Sequence, residues 1–294
     1  MIGTRYKIVL LTAASAIMLA SAMAEPASAA ADGKGAPSAS KDPRETAAST
    51  LSDVGMSLER ARLLPPGERA PALEKIAASA ARILDSDMPG ERRCAALFLS
   101  AEIDFALGRY ESAAQLYRKA GDKDREKLYR DDAAAAGIMA MEASGKDGKA
   151  AKEWKKWCER YPDSPLMPEV MLARAWNALR RGEIEQAMNM VLEAGDRWPW
   201  VANDRRAVIA MSLIAFINGS PGEALGMLEG LDDSPAVVYL RGMCHEDLGE
   251  TLKAAARYQE TAERWPESDL RDPAMFAKAD IFLRAGAYRS AAEE

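Results

Sequence analysis

Histidine occurs once in the 294 residues, at His245, and cysteine three times, at Cys94, Cys158 and Cys244. A single imidazole rules out mechanisms that need two, and the run Met243-Cys244-His245-Glu246-Asp247 lies on a predicted helix, where contiguous residues point to different faces. A metal centre is therefore not expected there. The cysteines are far apart and form neither C-x-x-C nor metal-ligand spacing, and their odd number excludes a fully paired disulfide framework. In helical segments beside apolar neighbours they read as buried thiols, with one disulfide as the alternative in an oxidising compartment. Catalytic motifs are missing too. The chain has no G-x-S-x-G, no H-E-x-x-H, no G-x-x-x-x-G-K-[ST], and no G-x-G-x-x-G after a strand pattern. The acidic pairs Asp131-Asp132 and Asp232-Asp233 sit at breaks beside predicted helices, where carboxylates complement the helix dipole. The expectation is a protein that is not an enzyme and carries no cofactor.

Positive charge is in deficit, with 39 lysines and arginines against 45 acidic residues and a net charge of −6. Such a surface argues against nucleic-acid binding. No stretch beyond the N-terminus approaches twenty apolar residues, so no later membrane span is expected. At the N-terminus, Arg5 and Lys7 precede an apolar run from Ile8 to about Ala22, too short to cross a bilayer comfortably, and Ala22-Met23-Ala24 offers an A-x-A cleavage site before Glu25. Ala27-Ser28-Ala29 offers a second. Residues 1–24 read as a secretory signal peptide, with an uncleaved anchor as the alternative. No cysteine follows the run, so a lipoprotein anchor is not expected. The product is expected to be periplasmic or secreted, without stable membrane insertion. Residues 25–43, rich in alanine, serine, glycine and proline, read as a disordered linker.

What the sequence does have is a period. From Pro168 to Pro199 it reads as a helix, a break at Gly182 and a second helix, and glycines recur at 108, 145, 182, 219, 249 and 286, at intervals of 37, 37, 37, 30 and 37. Five residues after each stands an alanine: Ala113, Ala150, Ala187, Ala224, Ala254 and Ala291. Four residues later comes a large apolar side chain, Tyr117, Trp154, Val191, Leu228 or Tyr258. Pro162, Pro199 and Pro266 lie seventeen residues after three of the glycines, each behind an aromatic. A fixed period in this range marks stacked repeats.

These features resemble the tetratricopeptide repeat, whose second helix carries a small residue and then an aromatic at A-x3-F, with proline closing the unit. The physical basis is packing: alanine lets two helices approach closely, the large residue fills the space one turn later, and proline ends the helix. In the family register a small residue also sits in the first helix, matched by Ala101, Ala175, Ser212, Gly242 and Ala279 but not by Ile138. The preceding position, usually leucine, is Ser100, Gly137, Arg174, Met211, Arg241 or Lys278. The resemblance covers roughly residues 92–294 and implies an all-α, right-handed superhelix of stacked helix-turn-helix repeats. Residues 44–90 are expected to form a degenerate N-terminal pair, with helices over 44–64 and 68–84 split by Pro65-Pro66-Gly67. Residues 91–294 form the repeat domain, whose last unit stops at Glu294 before its second helix is complete, as in a fragment of a longer protein. The 30-residue interval predicts one shortened unit, from Pro221 to Pro235.

In that family the first helices line a concave binding surface. The resemblance places Leu172, Trp176, Leu179, Ile209, Leu213, Phe216, Tyr239 and Met243 at facing positions, as it does Phe98, Phe105, Met139 and Phe276. Arg180 and Arg206 stand at the rim of the central cluster. If the first helices are rotated by one residue the stripe is core instead, and the two readings stand side by side. For Trp154 and Trp157, three residues apart, core packing is preferred over a carbohydrate-stacking platform. The functional expectation is a non-catalytic periplasmic scaffold that binds a protein or peptide partner. The units ending YPDSP and RWPES look like those of envelope repeat proteins that assist outer-membrane assembly or division. The alternative is the N-terminal superhelix of an envelope enzyme, similar to a soluble lytic transglycosylase, with its catalytic domain beyond residue 294.

Overall fold

A computed structural model describes residues 43–88, 90–124, 129–284 and 286 of the chain. The predicted leader (1–24), the linker up to residue 42 and the second helix of the last unit lie outside the described residues. Thirteen α-helices, one 3₁₀ turn and no strand make up the described part. It divides into two compact units, which meet in sequence at residue 168.

The first unit holds α1 (Pro43–Arg62), α2 (Pro66–Leu84), α3 (Gly90–Ala106), α4 (Tyr110–Lys123), α5 (Arg130–Ala143) and α6 (Asp147–Arg160). Each helix packs on the next, and α3 also touches α1. The second unit holds α7 (Met167–Arg180), α8 (Ile184–Arg197), the 3₁₀ turn Pro199–Asn203, α9 (Arg205–Ile217), α10 (Pro221–Glu229), α11 (Pro235–Asp247), α12 (Thr251–Arg264) and α13 (Arg271–Arg284). From α8 to α13 consecutive helices again pack together.

The periodic glycines end the first helix of each pair. All six, from Gly108 to Gly286, have φ between 74° and 81°, a region L-residues with a Cβ avoid. At Gly182 the amide donates to Leu179 O at 2.9 Å, while Glu183 N donates to Ala178 O at 2.9 Å. This crossed pair satisfies two carbonyls that a helix end leaves open. The same pair of bonds recurs at Gly108, Gly145, Gly219 and Gly249. One local geometry thus reverses the chain in every fully described repeat.

The alanine register sets how closely the helices approach. Ala113, Ala150, Ala187, Ala224 and Ala254 are fully buried. The large residue one turn on is buried in each unit as well: Tyr117, Trp154, Val191, Leu228 and Tyr258. Ala291 lies outside the described residues. In the first unit, Val54, Leu58, Ala61, Leu73, Ala80 and Ile103 form one core, and Ala101, Ala113, Tyr117 and Ala140 another.

Two boundaries differ from the sequence reading. Helix α2 begins at Pro66 rather than 68, because Pro65 takes the extended N-cap conformation (φ −54°, ψ 149°) and Pro66 fits a first turn that needs no N–H donor. Helix α1 ends at Arg62 rather than 64. The predicted short unit is present: α10 has 9 residues where α4, α6, α8 and α12 each have 14.

Candidate binding face

The sequence-predicted site residues fall on three successive first helices. Leu172, Trp176, Leu179 and Arg180 are on α7, Arg206, Ile209, Leu213 and Phe216 on α9, and Tyr239 and Met243 on α11. Spacings of three and four residues put each set on one side of its helix. All eight apolar members are enclosed in the folded chain: Trp176 is 2% exposed, and Met243, the most accessible, 8%. The rest of the chain covers the stripe. The reason is visible along α7, where only Glu169, Ala173, Arg174 and Arg180 escape full burial, so that no open apolar side is left.

Tyr239 packs on Tyr258 of its own unit's second helix, with ring centroids 5.2 Å apart. The Trp176 indole Nε1 is buried and finds no hydrogen-bond partner among the described residues. Of the other facing residues, Phe98, Phe105 and Met139 are half-buried and Phe276 is exposed. Phe98 and Phe105 make edge contacts with Tyr117 and Tyr110, at 5.2 Å each.

The two arginines are half-buried. Arg206 grips the carboxylate of Asp204, donating from Nε to Oδ1 at 3.0 Å and from Nη2 to Oδ2 at 2.9 Å, while Asp204 caps α9 by accepting from the Arg206 amide. Burial alone would raise the Asp204 pKa, but the bonds and charge of Arg206 and the amides of Arg206 and Ala207 outweigh it and hold the carboxyl below its ordinary value. The Arg206 side chain is thus committed to the helix start that carries it.

Sequence reasoning missed a recurrent carboxylate that links the large second-helix residue to the first helix. Trp154 Nε1 donates to Glu142 at 2.8 Å, Tyr258 OH to Glu246 at 2.8 Å, and Tyr117 OH to Glu102. Glu102 also pairs with Arg62 of α1, and Glu246 with Arg284 of α13, so each carboxylate ties a neighbouring pair into the stack. Burial, together with the adjacent Glu102, pushes the Tyr117 phenol well above its usual range and keeps it a donor.

The polar residues at the family's leucine position also have local uses. Arg241 donates to Leu228 O at 2.7 Å and Leu231 O at 2.9 Å, satisfying carbonyls at the end of the shortened α10, and it pairs with Asp233. Asp233 in turn holds Arg264, so the Asp232-Asp233 pair serves the break at that helix end. Asp131 likewise accepts from Ser164 through its carboxylate and from Trp157 through its carbonyl. Trp154 and Trp157 are buried, 6.5 Å apart and edge-on, as the core reading requires. Cys94 and Cys244 are buried and Cys158 half-buried, all three as free thiols, and burial pushes Cys244 up to about 12. His245 Nδ1 lies 2.6 Å from Glu250. Among the described residues no cluster of histidine, cysteine and carboxylate ligands is placed to hold a metal, and no helix is long and apolar enough to cross a membrane.

Comparison with known proteins agrees with this geometry. Residues 236–268, which span α11 and α12, match the tetratricopeptide repeat family. A tetratricopeptide repeat protein from Parabacteroides merdae superposes with a TM-score of 0.55 at 15% identity, over 93% of this chain and all of that one. The Cut9-Hcn1 hetero-tetramer of the APC/C gives 0.58 at 11%, over 82% of this chain and 47% of that one. A Rap protein complexed with competence and sporulation factor gives 0.55 at 16%, over 85% and 74%. No curated protein matches the chain. The fold defines an all-α protein of stacked helix pairs similar to those of tetratricopeptide repeat proteins, and the pair α11–α12 matches that repeat in sequence as well.

Proposed function

We propose that the chain is a non-catalytic scaffold, exported to the cell envelope of a Gram-negative bacterium, that holds a protein or peptide partner along its first helices. The observation that carries this reading is the repetition itself. Within each compact unit, glycine turns of one geometry and buried alanines set a regular succession of first helices, and a surface of that kind suits recognition of another chain rather than chemistry at one point. Support for export comes from the leader, with Arg5 and Lys7 ahead of the apolar run and Ala22-Met23-Ala24 behind it. That similarly folded proteins occur in a complex with competence and sporulation factor, and in the Cut9-Hcn1 hetero-tetramer, supports a partner-binding role.

The test is site-specific photo-crosslinking in cells. A benzophenone amino acid is placed at Arg180 or Arg206 on the first helices, or at the half-exposed Leu192 on the second helix α8 as a comparison. A discrete protein adduct in the periplasmic fraction from the first-helix positions supports the reading. Adducts from Leu192 alone, or protein confined to the cytoplasm, would overturn it.

A further inference from the structure

We propose that the groove between α1 and α2 is a docking site for an acidic amphipathic helix of another protein. It is distinct from the first-helix face and stands or falls separately. The two helices are joined by only residues 63–65 and lie side by side, bordering an open groove of about 470 Å³. Its floor is the buried Val54 and the half-buried Ile76 and Ile83, and its α2 wall carries Lys75, Ser79 and Arg82.

The occupant follows from shape and then from charge. A pair of packed helices offers the furrow into which a third helix lays its ridge of side chains. This pair already accepts one helix, because α3 packs on both α1 and α2, with Ile103 in the same core as Leu73 and Ala80. Lys75, Ser79 and Arg82, spaced i, i+4, i+7, form the stripe of α2 opposite Leu73 and Ala80. The furrow they border is therefore a second seat for a helix, floored by Val54, Ile76 and Ile83, which also back onto the core shared with α3.

The chain is acidic overall, and Arg62, Arg109, Arg241, Arg264 and Arg284 all pair with carboxylates. Lys75 and Arg82, both exposed, have no ion pair among the described residues, and the Arg82 guanidinium donates only to Ala78 O and Ser79 Oγ, at 3.3 Å each. Among the described residues, Asp53 on α1 is the single acidic one lining the groove, which keeps a surplus of positive charge. The two cations lie seven residues apart, roughly 10 Å along the helix. Carboxylates at the same seven-residue spacing on a docked helix meet both, while its apolar residues reach the isoleucine floor. A second copy of this chain would bring two more cations against one aspartate. The N-terminal apolar run carries Arg5 and Lys7, which also have the wrong sign.

The probe is a labelled synthetic peptide of about five helical turns, with leucines at three- and four-residue spacing and glutamates seven apart. Versions with glutamine or lysine in place of glutamate serve as controls. In fluorescence anisotropy with the full chain, the glutamate peptide should bind about tenfold more tightly than the glutamine peptide, and the lysine peptide most weakly. Lys75→Glu with Arg82→Glu should reverse the order of the glutamate and lysine peptides without shifting the melting temperature, and Asp53→Asn should tighten the glutamate peptide. Equal binding of the three peptides, or indifference to the double charge reversal, would overturn the proposal. So would a change in sedimentation mass on charge reversal, which would assign the groove to a second copy, or charge-dependent binding to anionic phospholipid vesicles without peptide binding.

Discussion

Gly242 of α11 and Tyr258 of α12 approach so closely that a Cβ on the glycine would stand 2.8 Å from the tyrosine Cε1 and 2.9 Å from Cδ1. The ring cannot yield, because Tyr258 is buried, packed at a tilt against Tyr239 and bonded to Glu246. Gly242→Ala should therefore destabilise by about 1–3 kcal/mol through overpacking. Gly226→Ala, at an exposed position of α10 with nothing within 4 Å, should instead stabilise by about 0.4–1 kcal/mol. Urea titrations of the two variants test the opposite signs. A neutral Gly242→Ala would mean that the two helices pack less closely than the structure shows.

Gly182 makes a different demand, of backbone rather than space. Nothing lies within 4 Å of a Cβ built there, yet φ is 77°. Gly182→Ala should cost about 1–2 kcal/mol, the left-handed penalty of an L-residue. Asn, which tolerates that region better, should cost less. Gly148→Ala, inside α6 and equally unobstructed, should stabilise. Thermal melts that rank Ala above Asn at position 182 would remove the crossed-bond turn as the reason for the glycine period.

The repeat was legible because each of its devices is local. A left-handed residue requires glycine, a close helix contact requires alanine, and both return at fixed offsets that sequence alone exposes. The short α10 was legible too, from Pro221 and the early Asp232-Asp233-Ser234-Pro235. The state of the apolar stripe was not. Periodicity shows that Leu172, Trp176 and Leu179 share a side of α7, but whether that side is covered depends on residues far away in the chain. Glu102 binding both Tyr117 and Arg62 has the same character, since three helices must meet before the carboxylate has its partners. Arg241 broke the family pattern for a reason that becomes readable only once α10 is seen to stop early beneath it.

The cap at Asp204 gives a pH dependence of defined sign. Asp204→Ala should cost about 1 kcal/mol at neutral pH, through loss of the cap. The folded-state pKa is lowered, so the carboxylate's contribution is fully present above the unfolded value of about 3.9 and is lost as pH falls through the lower folded value. The stability gap between wild type and Asp204→Ala should therefore narrow below about pH 4. Asp204→Asn, which keeps a capping oxygen without the charge, should fall between them at neutral pH. Chemical denaturation between neutral and acidic pH tests this. A gap that widens on acidification would contradict the assigned ion pair with Arg206.

Trp176 decides what the stripe on the first helices is for. At 2% exposure its side chain is enclosed, and truncation to alanine should cost about 3–5 kcal/mol by removing a large buried group and leaving a cavity. Trp176→Phe should cost far less than this, because it keeps most of the volume and removes the indole N–H that finds no partner among the described residues. A groove residue would behave in the opposite way, with alanine leaving the melting temperature nearly unchanged while weakening a crosslinked partner by about 2 kcal/mol or more. Measuring unfolding and partner affinity on both variants separates the roles. A stable Trp176→Ala chain with a selective binding defect would show that the tryptophan faces a partner, and a destabilised chain in which Phe restores both stability and binding would show that it supports the helices a partner meets.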